Sequence, residues 1–273
     1  MRFLDPEGDL THKMNRNPIT LSLGLAAATV VGVGQIPLSS FTSGLYTQDF
    51  DTLAASGGPF TWTDNSTLPG WYLSRVTYLT GTGSGTAGGA YSFGTSSSTD
   101  RALGSVATAL PSGTGDIAYG LRLRNDTAGS FTGFEFAYVG EQWRRANNAN
   151  SHKLQFSYKI SGSPINLLDT GFSSVTQLDF TGPISGSSAT ALNGNLSANR
   201  TALSFSLNFT SPFVSLDPGE EIMLRWIDEN DSGADHGLAI DNLSITIPEI
   251  PAFLPVVVTI GVGALWTMRR RVR

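Results

Sequence analysis

Four runs of alternating side chains constrain this chain more than any other feature. Phe134, Phe136 and Tyr138 alternate with Glu135 and Ala137. Leu154, Phe156, Tyr158 and Ile160 alternate with Gln155, Ser157 and Lys159. Leu203, Phe205, Leu207 and Phe209 alternate with Ser204, Ser206 and Asn208. Ile222, Leu224 and Trp226 alternate with Met223, Arg225 and Ile227. A period of two puts large side chains on one face of a strand and mostly polar ones on the other. No window carries a long stripe at helical spacing. Turn signals separate the runs, among them Ser56-Gly57-Gly58-Pro59, Pro111-Ser112-Gly113, Ser161-Gly162-Ser163-Pro164 and Asp217-Pro218-Gly219. The expectation is an all-β fold of antiparallel sheets, each with one wet face. All four Leu and Phe positions of the run 203–209 should be mostly buried. About 200 residues of such strands form one domain. Two stacked sheets bury the large faces against each other, and a jelly-roll-like antiparallel β-sandwich over residues 35–247 is favoured. There is no internal repeat, which disfavours a propeller or solenoid.

Composition narrows the setting. The 273 residues include no cysteine, so an outward-facing domain would be stabilised by its core alone. Apolar residues make up 40 %, enough for such a core. Charged residues are only 14 % and glycines number 31, a balance that suits extracellular β-proteins rich in turns. A net charge of −5 argues against a nucleic-acid binder, which needs a basic face.

The termini read as addresses. Met14, with Lys13 and Arg16 around it, is followed by an apolar run over 19–33, the pattern of a signal peptide. Residues 1–34 are assigned to it, with Met14 a possible true start and cleavage before Gln35; an uncleaved N-terminal anchor is the alternative. At the other end Pro248, Glu249 and Pro251 lead into an apolar stretch over 252–268, and Arg269, Arg270, Arg271 and Arg273 close the chain. That stretch is just long enough for a transmembrane helix, and the arginines would stay on the cytoplasmic side. This order of motif, helix and basic cluster over residues 248–273 resembles the sorting signal of bacterial PEP-CTERM proteins, although the motif here reads Pro248-Glu249-Ile250-Pro251. The resemblance implies an exosortase-like sorting protease as partner. It also implies export, anchoring in the inner membrane through the C-terminus, and then a cell-surface or extracellular location after processing.

Within the domain, Phe50-Asp51-Thr52-Leu53, Gly140-Glu141-Gln142-Trp143-Arg144 and Asp235-His236-Gly237-Leu238-Ala239-Ile240-Asp241 are similar to surface β-domains of environmental bacteria that precede such signals. The segment 237–245 is also similar to the last strand of carbohydrate-binding jelly rolls.

Three stretches are candidates for chemistry. Glu141, Trp143 and Arg144 place a flat ring beside a carboxylate and a forked donor, as a sugar-binding surface does; packing in the core is the competing reading. From Asp228, acceptors fall at Asp228, Asn230 and Ser232, with Gly233 at the turn, which is how a Ca²⁺ loop opens. Position 12 is Ala239 and breaks that pattern, so Asp231, Asp235 and Asp241 are the other candidate ligands; an acidic turn needs no metal at all. His236 reads as a hydrogen-bonded loop residue, and the spacing of His152 and His236 matches no zinc motif. Gly83-Ser84-Gly85-Thr86-Ala87-Gly88 fits a dinucleotide loop in letters only, because no helix can follow it.

The functional expectation is a non-enzymatic exported β-sandwich that binds polysaccharide or other envelope components. A secreted polysaccharide hydrolase would require two carboxylates facing each other across a groove. A purely structural surface protein is the third reading.

Overall fold

The computed structural model describes residues 34–108 and 115–247. The expected signal peptide, apart from Gly34, and the expected sorting signal at 248–273 lie outside the described residues. No helix among the described residues is long and apolar enough to cross a membrane.

Sixteen strands are found among the described residues. In chain order they begin with β1 Ile36–Pro37, β2 Leu45–Gln48, β3 Phe60–Thr61, β4 Trp71–Leu73 and β5 Thr77–Gly81. Next come β6 Gly89–Phe93, β7 Ala102–Val106, β8 Ile117–Arg124, β9 Gly133–Arg145 and β10 Lys153–Ser161. The last are β11 Ser173–Ser174, β12 Phe180–Thr181, β13 Thr190–Ala191, β14 Arg200–Asn208, β15 Glu221–Asp228 and β16 Gly237–Thr246. One sheet runs β1-β8-β15-β10-β11, with β4 also on β8 and β12 also on β10. The other runs β13-β9-β16-β7-β6-β5-β3, with β14 also on β9 and β2 also on β16. Among the described residues only β1–β8 and β5–β6 pair in parallel. The chain is an all-β sandwich of two sheets, as the alternation predicts.

The core lies between the sheets. Phe134, Phe136 and Tyr138 from β9 meet Leu154, Phe156, Tyr158 and Ile160 from β10, and all seven are buried. Trp226 of β15 is fully buried at the centre. Its ring lies 5.9 Å from Trp71 and 6.3 Å from Tyr119 in its own sheet, and 6.0 Å from Phe136 and 5.7 Å from Tyr138 in the opposite one. Burying such rings is the largest apolar gain available here, and well-placed aromatic pairs add ~0.5–1.5 kcal/mol each.

Two expectations need correction. Leu207 and Phe209 are buried, but Leu203 and Phe205 are only half-buried. Among the described residues, strand β14 pairs on one side alone, with β9, so its upper half overhangs the sandwich. The expected wet faces are also partly dry. On the outer face of the β15 sheet, Met223 and Ala118 are covered by Ile165 and Leu167 from the β10–β11 connection. There the Arg225 guanidinium sits 3.5 Å from the Phe172 ring centre, a cation–π contact that suits a half-buried arginine. On the outer face of the β9 sheet, Tyr91, Phe93 and Trp143 form a stack, with ring centres 4.8 and 6.0 Å apart. The segment between β12 and β14 lies over it. Leu192 donates its N–H to the Trp143 carbonyl at 2.8 Å. Gly194 is pressed on the indole, where a Cβ would fall 2.4 Å from Nε1. Both covering connections are longer than a hairpin needs, and the extra length supplies the cover.

Phe136 and Phe205 face each other across β9 and β14, one fully and one half buried. Phe136→Ala should therefore cost ~3–5 kcal/mol in urea unfolding, and Phe205→Ala less than half as much. Equal losses would contradict the overhanging edge.

Candidate functional site

Strand β9 carries Glu141, Trp143 and Arg144, and none of them forms a solvent-facing platform. Trp143 is 1 % exposed and Glu141 1 %. The Trp143 indole N–H donates to Glu141 Oε2 at 2.9 Å. Arg144 Nη1 donates to the carbonyls of Gly83 and Ser84 at 3.2 and 3.3 Å, which holds the glycine-rich loop down. The expected sugar-binding trio is thus an internal packing unit under the β12–β14 cover. The loop of Gly83 to Gly88 leads into strand β6 and not into a helix, as expected.

The register between β9 and β16 then adds a pair that spacing alone does not show. Ala239 lies opposite Glu141, and Asp241 lies opposite Val139. Glu141 and Asp241 are therefore diagonal neighbours on one face. A bulge follows Asp241, with Asn242 at φ 50°, a conformation asparagine tolerates. Asn242 donates to Asp241 through both its backbone and side-chain nitrogens at 2.7 Å. Glu141 Oε1 is buried without a hydrogen bond. Burial pushes Glu141 up to about 7, against the Trp143 bond. Burial and then the Glu141 charge push Asp241 up to about 8. Two carboxyls this close and this buried favour their protonated forms.

The acidic loop between β15 and β16 is divided among different partners. Asp228 is buried, and its Oδ2 accepts from Ser105 Oγ at 2.7 Å and the Ala107 N–H at 3.2 Å. Burial raises its pKa to about 8. Asn230 is held by its backbone N–H, which donates to Asp116 Oδ1 at 2.9 Å. Asp241 lies beyond the loop, beside Glu141. Asp231 and Asp235 converge instead on a residue that spacing did not select, His152. Its Nδ1 is 3.5 Å from Asp231 Oδ2 and 3.4 Å from Asp235 Oδ1. His236 stacks on His152 at 4.4 Å and accepts the Ala146 N–H on Nδ1 at 3.0 Å. It is a hydrogen-bonded loop residue, as expected, immediately before β16. Burial, and then His152, hold His236 down at about 4.

Open clefts among the described residues include one of about 270 Å³ between Asp64, Tyr72, Asn166 and Leu168. One of about 410 Å³ lies beside β5 and is lined by uncharged residues, including Ser56, Thr80, Thr82, Ser84 and Ser96. One of about 260 Å³ opens beside the loop, between Lys153, Gln155, Glu229 and Asp231.

No family model and no curated protein matches this sequence. Solved structures with partial overlap include the K2 cleaved adhesin domain of Lys-gingipain, at 13 % identity, 76 % of this chain, 100 % of that one and a TM-score of 0.37. The C-terminal family 22 carbohydrate-binding module of Clostridium thermocellum Xyn10B overlaps at 10 % identity, 76 % of this chain, 96 % of that one and a TM-score of 0.35. The mannan-recognising module TmCBM27 overlaps at 12 % identity, 75 % of this chain, 96 % of that one and a TM-score of 0.32. Overlaps of this size say nothing about ligands.

The buried acid pair makes a pH prediction. The folded state raises both carboxyl pKa values, so it holds more protons than the unfolded chain between about pH 4 and 8. The stabilisation is full below the unfolded carboxylate pKa and is lost as pH rises through about 7 to 8. With EDTA present, Tm should be higher near pH 5.5 than near pH 9, and Asp241→Asn should flatten the decline. A wild-type Tm that rises over this range would contradict the buried pair.

Proposed function

We propose that this chain is an exported β-sandwich that binds a neutral polysaccharide at the cell surface or in the extracellular matrix, without chemical turnover. The observation that carries the reading is the cleft beside β5. Its lining has six serine and threonine residues and no charged side chain. Each hydroxyl both donates and accepts, which matches the hydroxyls of a sugar ring. The uncharged lining favours a neutral glycan over an anionic one. The hydrolase reading receives less support. Glu141 and Asp241 approach each other, but both are buried, and neither lines a cleft among the described residues where a glycosidic bond could lie between them.

The address follows from the termini. A PEP-CTERM-type signal at 248–273 would deliver the domain through an exosortase-like protease, with the helix as a transient inner-membrane anchor. The described residues end at Ile247, whose N–H donates to the Gly44 carbonyl at 2.9 Å.

Two experiments test the proposal. On a panel of neutral and acidic glycans, the full-length protein should bind neutral members. Ser84→Arg and Ser96→Arg, both at exposed positions, should remove that binding with Tm unchanged. Binding that survives both changes would place the ligand elsewhere. Reporter fusions placed before Pro248 should be active only outside the cytoplasm. Cytoplasmic activity would sink the export reading.

A further inference from the structure

The cluster around His152 is built from two distant parts of the chain. His152 precedes β10, and Asp231 and Asp235 lie in the β15–β16 loop. One ligand atom from each falls within 4.8 Å of the others. The two distances from Nδ1, 3.4 and 3.5 Å, are those expected between ligands of a tetrahedral ion with bonds of about 2.0–2.2 Å. Neither carboxylate is paired with a lysine or arginine among the described residues. The imidazole and the Asp235 carboxylate are each 1 % exposed, while the Asp231 side chain is 42 % exposed. Asp231 also lines the 260 Å³ cleft, so the cluster has a mouth to solvent on one side. The buried His236 ring, stacked on His152, fixes its plane.

We propose that His152 Nδ1, Asp235 Oδ1 and Asp231 Oδ2 form a site for one divalent transition ion of the zinc class, with solvent in the cleft completing the coordination. This stands independently of the glycan cleft beside β5. An imidazole nitrogen favours zinc over calcium, which takes oxygen ligands. The ion neutralises two adjacent carboxylates and ties the β15–β16 loop to the start of β10. It also has a cost to cover. The His152 Nδ1 now faces the His236 backbone N–H at 3.3 Å, and Nε2 faces the Asn148 side-chain nitrogen at 3.0 Å. Ligation through Nδ1 leaves the ring proton on Nε2. Asn148 must then turn its oxygen toward the ring and give up the contacts of its nitrogen to the Ser232 and Ala234 carbonyls. The metal-free alternative is a proton on Nδ1 held between the two carboxylates.

The test uses full-length protein stripped with EDTA and titrated calorimetrically with ZnCl₂ or CaCl₂. One zinc equivalent should bind and raise Tm, and millimolar calcium should not compete. Asp231→Asn changes the most exposed ligand, so its metal-free Tm should match the wild type while zinc affinity falls at least ~10-fold. Asp235→Asn should weaken zinc similarly and serves as the second variant should Asp231→Asn fail to fold. Co²⁺ substitution should give the visible absorption of a tetrahedral nitrogen–oxygen site. Absence of a zinc equivalent, or zinc binding indifferent to both variants, leaves the shared proton as the answer and overturns the site. Calcium displacing zinc at equal concentration overturns the choice of ion.

Discussion

Everything in this sandwich depends on the insertion of Trp226 between the two sheets. Its indole touches rings from β4, β8 and β10 in its own sheet and from β9 in the opposite sheet, and it is fully buried. With no disulfide in the chain, this aromatic knot takes the place of a covalent link between the layers. Strand β15, which carries it, pairs with β8 and β10 along its whole length, so the knot is held in register from both sides. From β15 the chain runs directly through the acidic loop into β16, which pairs with β9 in the other sheet. The loop that crosses between the sheets is therefore anchored at both ends by the core, and the His152 cluster sits at that crossing.

The covered outer faces leave the rims as the open surface of the sandwich. A flat sheet face with exposed aromatics would be the simple way to present a platform to a sugar. Here Trp143, Phe93 and Tyr91 are spent on holding the β12–β14 cover, and Tyr72, Phe172 and Arg225 flank the β10–β11 cover. What remains open includes the hydroxyl-lined cleft at the β5 edge and the polar mouth beside Asp231.

The strands were legible because period-two alternation directly reports a half-buried surface, and Phe134 to Tyr138 and Leu154 to Ile160 behave as that rule requires. Leu203 and Phe205 alternate just as well and are only half-buried, because alternation does not report whether a strand has a neighbour on each side. The covers were not legible: Ile165, Leu167 and Leu192 are isolated apolar residues in turn-rich sequence, with no period to mark what they face. The site was legible by halves. Asp231 and Asp235 announce themselves as a dense acidic run, but His152 lies about 80 residues earlier and only the β10–β15 pairing brings it near. Likewise Glu141 and Asp241 were each noticed, and their closeness required the register of β9 against β16.

Amide hydrogen exchange on the full-length protein tests most directly whether the connecting segments are part of the fold. The N–H groups of Gly182, Ile184 and Leu192 donate to His152, Gln142 and Trp143 at 2.7 to 3.0 Å, although they lie outside the long strands. They should exchange slowly, in step with β9 and β16. Immediate exchange at these three amides, with β9 still protected, would mean that the outer face of that sheet is open and that Trp143 is exposed to ligand after all.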